Sequence, residues 1–269
     1  HQLEPEIYSH RLLQMYIDAL EKSKVTATIP LHLKFDTGMA RMGFGATDVA
    51  DVIATISSHP QLKVSSVFSH LAGADEARFD EFTKSQITLF DSICHAIKKL
   101  LPYSFDRHIL NSAGIERFGF AQYEMVRLGI GLYGAGNAKL KNISTLKTFV
   151  SQIRELNANQ TVGYSRKGVL TRPSRIAVIP IGYADGLDRK LSNGVGQLVI
   201  NGKRVPIIGN ICMDAAMVDV TDIQVSEGDE VTIFGNEITV TEIANKLGTI
   251  PYEVLTSISK RVKRIYTME

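Results

Sequence analysis

Short apolar runs in the first half of the chain each end in polar or charged residues, and a helical pattern separates each run from the next. Residues 11–21 (RLLQMYIDALE) place Leu12, Leu13, Tyr16, Ile17 and Leu20 at helical spacing. Residues 31–35 (LHLKF) predict a strand that closes on Asp36-Thr37-Gly38. Residues 46–58 carry Val49, Val52, Ile53 and Ile56 on one helical face, and residues 63–68 (KVSSVF) predict the next strand, ending at Ser69-His70. A long amphipathic helix is expected over 79–100, a short strand over 108–110 ending at Asn111-Ser112, and a further strand over 125–128, ahead of Gly129, Gly131, Gly134 and Gly136. This alternation implies a parallel sheet with crossover helices. Four strands are counted, five if 4–8 adds one, whereas a closed (β/α)₈ barrel of the TIM type needs eight. An open barrel would leave sheet edges to be covered.

The strand ends carry Lys34 and Asp36, then His70, then Asn111 and Ser112, then Arg127. Ligands of parallel α/β folds sit at the carboxyl ends of the strands. Any one of these residues alone reads as a solvated loop residue; all of them together point to a binding mouth.

From about residue 146 the pattern turns β-rich, with runs at 146–156, 175–181, 196–205, 216–220 and 230–234 separated by Asn193-Gly194, Asn201-Gly202, Glu227-Gly228 and Gly235-Asn236. Asn201-Gly202 between apolar runs is a hairpin signal. Helices are expected at 241–247, stopped by Gly248, and near 252–259. We therefore divide the chain into a partial (β/α)₈ barrel over 1–141 and a mostly antiparallel β domain over 142–269, with the boundary between 138 and 146.

With 30 basic and 28 acidic residues the net charge is +2, which gives no strong pull toward nucleic acid or anionic lipid. No apolar run approaches the roughly 18 residues of a membrane span. Two cysteines, Cys94 and Cys212, exclude a disulfide-dense scaffold and favour a reducing compartment. The seven histidines show no metal-ligand spacing, and no G-x-S-x-G occurs. The first ten residues (HQLEPEIYSH) have neither a basic nor an apolar leader region.

Three places could hold chemistry. Gly129, Gly131, Gly134 and Gly136 could let backbone amides approach a phosphate, or could simply make tight turns; no acidic residue follows in a βαβ context, so a dinucleotide site is disfavoured. Lys34 at a barrel mouth needs a partner or a shifted pKa, and Arg41 could face an oxyanion; a surface pair is the plain alternative. In the β domain, Tyr164, Tyr183 and Cys212-Met213-Asp214 stand out. A tyrosine acts as an acid or base only with a depressed phenol pKa, and Cys212 is expected to be a small buried residue.

LKFDTGMARMGF, SHLAGADE, LNSAG, VRLGIGLYG, VGYSR, IPIGYADGLDR, NICMD and YEVLTSISKRV occur in the order found in alanine racemases, which this chain resembles from about Lys34 onward. The resemblance implies a (β/α)₈ barrel plus β domain, pyridoxal phosphate as cofactor, and a homodimer whose active site joins one subunit's barrel to the other's β domain. It implies Gly129, Ile130, Ser112 and Tyr252 at the phosphate, Arg127 at the pyridine nitrogen, and His70 supporting Arg127. Arg41 falls at the cofactor's phenolic oxygen and the substrate carboxylate, with Lys34 a position often carbamylated. Tyr164 falls at the catalytic tyrosine and Met213 at the backbone contact to the carboxylate. Asp214, Tyr183 and Arg189 fall at the substrate entrance. Asn210 stands where an arginine often precedes I-C-M-D, so a looser entrance network is expected.

No segment like V-K-A-N-A-Y-G, which carries the family's Schiff-base lysine, occurs in the sequence. The expectation is a C-terminal part of an alanine racemase, of a kind sometimes fused behind a cell-wall ligase, inactive by itself while its parent interconverts L- and D-alanine for peptidoglycan in the cytoplasm. Two alternatives remain: a broad-specificity amino-acid racemase, and a non-catalytic module that binds pyridoxal phosphate or dimerises. Related decarboxylases usually place an acid at the ring nitrogen, which Arg127 argues against.

Overall fold

The computed structural model describes residues 3–23, 26–137 and 139–267. Ala138, in the expected boundary, lies outside the described residues. The chain forms two compact units, residues 1–129 and 130–269.

The first unit runs β1 (Glu6–Ile7), α1 (His10–Ser23), β2 (Ile29–Lys34), α2 (Val49–Ser57), β3 (Leu62–Phe68), α3 (Asp80–Leu100), β4 (Asp106–His108) and α4 (Ser112–Arg117). Its strands are all parallel and lie in the order β1-β2-β3-β4. Each crossover helix adds the next strand on the same side. That is the winding of a barrel, without the reversal of a doubly wound sheet. In α3, Ile87, Phe90, Ile93 and Ile97 recur every three or four residues and are buried, while Asp80 and Glu81 open the helix and Lys98 and Lys99 close it, matching its dipole. Leu31, Leu33, Val64 and Val67 supply the sheet's share of this core. The opposite face of the sheet is polar. A register shift after Leu31 places Ser66 across from His32 and Phe68 across from Lys34, with His108 across from Phe68. The irregularity thus decides which serine of KVSSVF points to the polar face.

Two expectations for this unit change. The predicted strand at 108–110 lies two residues earlier, and residues 4–8 do contribute a strand. Residues 125–128 are not one. Met125 N–H donates to the Arg107 carbonyl and Arg127 N–H to that of Leu110, so two steps on one side meet three on the other and no ladder can continue.

The second unit contains β5 (Leu146–Phe149), β6 (Gln152–Leu156), β7 (Thr161–Val162), β8 (Gly168–Val169), β9 (Ser174–Ile179), β10 (Gln197–Ile200), β11 (Lys203–Pro206), β12 (Ala216–Asp219) and β13 (Glu230–Phe234), then α5 (Val240–Leu247) and α6 (Pro251–Ser257). Antiparallel sheets β11-β10-β13-β5 and β12-β9-β6 pack a core that includes Leu198, Ile200, Val218 and Val231, and β7-β8 forms a small ribbon. The hairpin at Asn201-Gly202 is present, with both residues at positive φ (50° and 71°), as a two-residue turn matched to strand twist requires. The run 146–156 proves to be two strands in different sheets. Val150 N–H donates to the Asp229 carbonyl, while Ser151 N–H, one residue on, donates to that of Val178. Thr239 caps α5 and Gly248 ends it in the left-handed conformation. Among the described residues no helix is long and apolar enough to cross a membrane.

Candidate active site

In the first unit the carboxyl ends of β2 and β3 and the segment after α4 converge. Lys34, the last residue of β2, is only 7% exposed, and its Nζ lies 2.9 Å from Glu6 Oε1 on β1. The partner that a buried ammonium demands is therefore a carboxylate one strand away. Beyond Lys34, the Asp36 carboxylate accepts the amides of Gly38 and Met39 at 2.8 Å each. The loop returns through Phe44, whose N–H donates to Lys34 and whose carbonyl accepts from Asp36, both at 2.9 Å. Arg41 rides on this tied loop. Lys34, Asp36, Met39, Arg41, Ser69 and His70 line one crevice. The His70 imidazole is pushed down to about 4 by burial first, then by Arg127, Arg41 and Lys34, so three cations bear on one ring.

Arg127 is held by nearly its whole fork. Nη1 donates to His108 Nδ1 at 2.5 Å and to the His108 carbonyl at 3.2 Å. Nη2 donates to the Ser69 carbonyl at 2.6 Å and faces His70 Nδ1 at 3.3 Å. Its Nε–H has no hydrogen-bond partner among the described residues. Burial draws the guanidinium down to about 10, which leaves it charged at neutral pH. The Phe68 ring carries His108 stacked at 4.8 Å, with the Arg127 guanidinium 5.1 Å and Lys34 Nζ 5.4 Å from its centroid. His70, expected to support Arg127, does so at longer range than His108, which sequence reasoning passed over. Ser112 Oγ accepts the Gly129 N–H at 2.9 Å, and Asn111 caps the short helix that Ser112 begins.

In the second unit Ile130 N–H donates to the Tyr252 hydroxyl at 2.5 Å. The later glycines of the glycine run make turns: a Cβ on Gly134 (φ +74°) would lie 1.8 Å from the Lys141 carbonyl oxygen. Tyr164 is 68% exposed and opens a tight turn in which Ser165 and Arg166 both take positive φ (58° and 53°). Two successive non-glycine residues in that region are costly and must be held from outside. Asn210 does this. Its side-chain amide donates to the Tyr164 carbonyl at 3.0 Å and its Oδ1 accepts from Asn193 at 3.0 Å. Asn210, where an arginine often stands, is buried and turned onto Tyr164 and Asn193. Tyr183 and Met213 lie together: Tyr183 N–H donates to the Cys212 carbonyl and Ala184 N–H to that of Met213, both at 3.0 Å. A Cβ on Gly182 would sit 2.3 Å from each of those carbonyl oxygens, so only glycine permits the approach. Asp214 joins neither Tyr183 nor Arg189. It pairs with Arg261 at 2.5 Å, and Arg261 also holds Asp185 at 2.7 Å. Arg189 begins a separate short turn, Arg189–Leu191. Cys212 is half-buried rather than fully buried.

The sequence contained a signal for the missed residues. His32 and Lys34, Ser66 and Phe68, and His108 share one face at period two, largely polar, opposite Leu31, Leu33, Val64 and Val67 in β2 and β3.

Two family models match the chain: "Alanine racemase, N-terminal domain" over residues 1–137 and "Alanine racemase, C-terminal domain" over 143–266. The chain belongs to the alanine racemase family. Alanine racemase 2 of Caldanaerobacter subterraneus is 40% identical over 249 residues, covering 88% of this chain and 64% of its own length. The alanine racemase of Carboxydothermus hydrogenoformans is 40% identical over 278 residues, covering 98% of this chain and 74% of its own. The chain thus spans about two thirds to three quarters of these relatives. Among solved structures, alanine racemase from Bartonella henselae with covalently bound pyridoxal phosphate superposes with a TM-score of 0.86 at 32% identity, over 99% of this chain and 74% of that one. That of Clostridium difficile gives 0.90 at 32% identity, over 98% and 71%. The parallel-stranded barrel portion followed by an antiparallel β domain is the alanine racemase fold.

Proposed function

We propose that this alanine racemase family member serves the interconversion of L- and D-alanine with pyridoxal phosphate, the observation that carries the reading being Arg127. A guanidinium fixed by both Nη atoms, with its Nε–H left to donate, suits a pyridine nitrogen that must be faced but not protonated. The other residues present fit the same group. Amide–hydroxyl pairs, Gly129 with Ser112 in one unit and Ile130 with Tyr252 in the other, are the donors a phosphate takes.

When bound, pyridoxal phosphate weakens the substrate Cα–H bond by drawing electrons toward its ring. Arg127 cannot hand a proton to that ring, so the withdrawal stays moderate and the Cα proton is returned rather than lost. The Tyr164 phenol holds and moves that proton on one face. Arg41 and the Met213 backbone amide orient the substrate carboxylate, and Tyr183, Asp214 and Arg189 stand at the entrance. Lys34, buried 2.9 Å from Glu6, falls at the position often carbamylated in this family, where a carbamate would fix Arg41. Tyr164 reaches the site from the partner subunit of a homodimer, barrel portion to β domain, in the cytoplasm, where D-alanine serves cell-wall synthesis. The second base, a Schiff-base lysine in a V-K-A-N-A-Y-G-like segment, has no counterpart in these 269 residues. This stretch alone is therefore inactive and holds the cofactor reversibly.

The experiment is polarimetry on L- and D-alanine with the gene product as the cell makes it, loaded with pyridoxal phosphate. Turnover in both directions supports the reading. Equal turnover of serine or lysine moves it to a broad-specificity racemase, and binding without turnover to a non-catalytic module.

A further inference from the structure

A continuous line of hydrogen bonds leads away from Arg127 across the polar face of the first sheet. Arg127 Nη1 is 2.5 Å from His108 Nδ1, and His108 Nε2 is 2.9 Å from Ser66 Oγ. Ser66 Oγ is 2.6 Å from His32 Nδ1, and His32 Nε2 is 2.7 Å from Glu4 Oε2. β4, β3 and β2 each supply one link, and the segment leading into β1 supplies the last.

Both ends have fixed roles. A guanidinium only donates and an ionised carboxylate only accepts. Working from Arg127, His108 must offer a bare Nδ1 and carry its proton on Nε2. Ser66 Oγ then accepts that proton's bond and donates its own to His32 Nδ1, and His32 carries its proton on Nε2 toward Glu4. Working from Glu4 gives the same assignment. Every link pairs one donor with one acceptor, and with both imidazoles neutral no other arrangement does. Reversing His108 would put its N–H against a guanidinium N–H at 2.5 Å.

We propose that Glu4, His32 and Ser66 are positioning residues that lock His108 as the Nε2–H tautomer, so that its Nδ1 lone pair holds Arg127 in one orientation, with a carboxylate at the far end of the line. Glu4 is the carboxylate at the far end of these aligned dipoles, while Glu6, paired with Lys34, bears on Arg127 from outside the line. His108 stays neutral in this line: burial, Arg127 and then His32 depress its imidazole to about 4. The consequence for the reaction rests on the function proposed above; the tautomer itself does not.

Long-range proton–nitrogen NMR on the full chain, labelled at histidine and without cofactor, reads the tautomers directly. The expected result at neutral pH is a single Nε2–H form for both His108 and His32. His108 found as Nδ1–H, or doubly protonated, overturns the proposal without any variant. Ser66→Ala removes the middle link. His108 should lose its single-tautomer pattern, and the pyridoxal phosphate-loaded gene product should lose about tenfold in kcat, the worth of one charge-assisted hydrogen bond, with KM for alanine little changed. Ser66→Thr, which restores a hydroxyl, should recover both. A folded Ser66→Ala protein with unchanged His108 resonances and unchanged kcat sinks the relay. Failure to bind pyridoxal phosphate would instead overturn the function reading and leave the tautomer result standing.

Discussion

The side-chain amide of Asn210 holds the backbone carbonyl of Tyr164 at 3.0 Å, directly before two residues in left-handed conformation. Asn193 in turn fixes the Asn210 side chain. Replacing Asn210 with alanine leaves that carbonyl unpaired and frees the turn. One neutral hydrogen bond of about 1 kcal/mol corresponds to about fivefold in rate. Steady-state racemisation of the Asn210→Ala gene product should fall by that factor in both directions, and Asn210→Gln should not restore it, because the longer side chain overshoots.

Tyr164 itself is exposed and contributes little to packing in the chain as described. Tyr164→Phe should therefore leave the thermal midpoint unchanged while kcat drops by a factor on the order of 10² to 10⁴, the usual worth of a positioned acid or base. A variant with wild-type turnover would remove the phenol from the mechanism.

Acid should weaken the first unit through two histidines. His70 and His108 both fall from the ordinary 6.5 to about 4 in the folded chain, through burial first and Arg127 next. The unfolded chain therefore binds more protons than the folded one between those values, and stability drops as pH falls from about 6.5 toward about 4. Above 6.5 neither group contributes a slope. Urea titrations at stepped pH should show this, with a shallower acid slope in His70→Gln.

Two glycines in the left-handed half of φ should answer differently to alanine. At Gly43 (φ +142°) a Cβ would lie 2.4 Å from the Asp36 nitrogen, inside the loop that carries Arg41. At Gly202 (φ +71°) nothing lies within 4 Å. Gly202→Ala should cost about 1 kcal/mol, the backbone preference alone. Gly43→Ala should cost at least about 2 kcal/mol more and weaken alanine binding, because backbone must move. Denaturant midpoints of the two variants decide it.

What was legible in the sequence was local. The Asn201-Gly202 turn, the Gly248 stop and the apolar stripe of α3 depend on residues within a few positions of one another, and each forms where expected. Residues 125–128 and 146–156 misled because strand identity depends on a distant partner's register: Arg107 and Leu110 for the first, Asp229 and Val178 for the second. The site divides the same way. Arg127 and Ser112 stood out at the ends of apolar runs. His108 did not, since its weight comes from lying across from Phe68 and beside Ser66, on a strand far away in the sequence. Glu6 escaped notice because its partner, Lys34, lies 28 positions away.

The neighbouring amides of Val150 and Ser151, bonded to different sheets, have a mechanical consequence. One rigid peptide unit rivets the two layers, so strain applied to either is handed across within a single residue. Such a joint leaves no seam along which one layer can peel while the other holds, and the β unit should let go all at once.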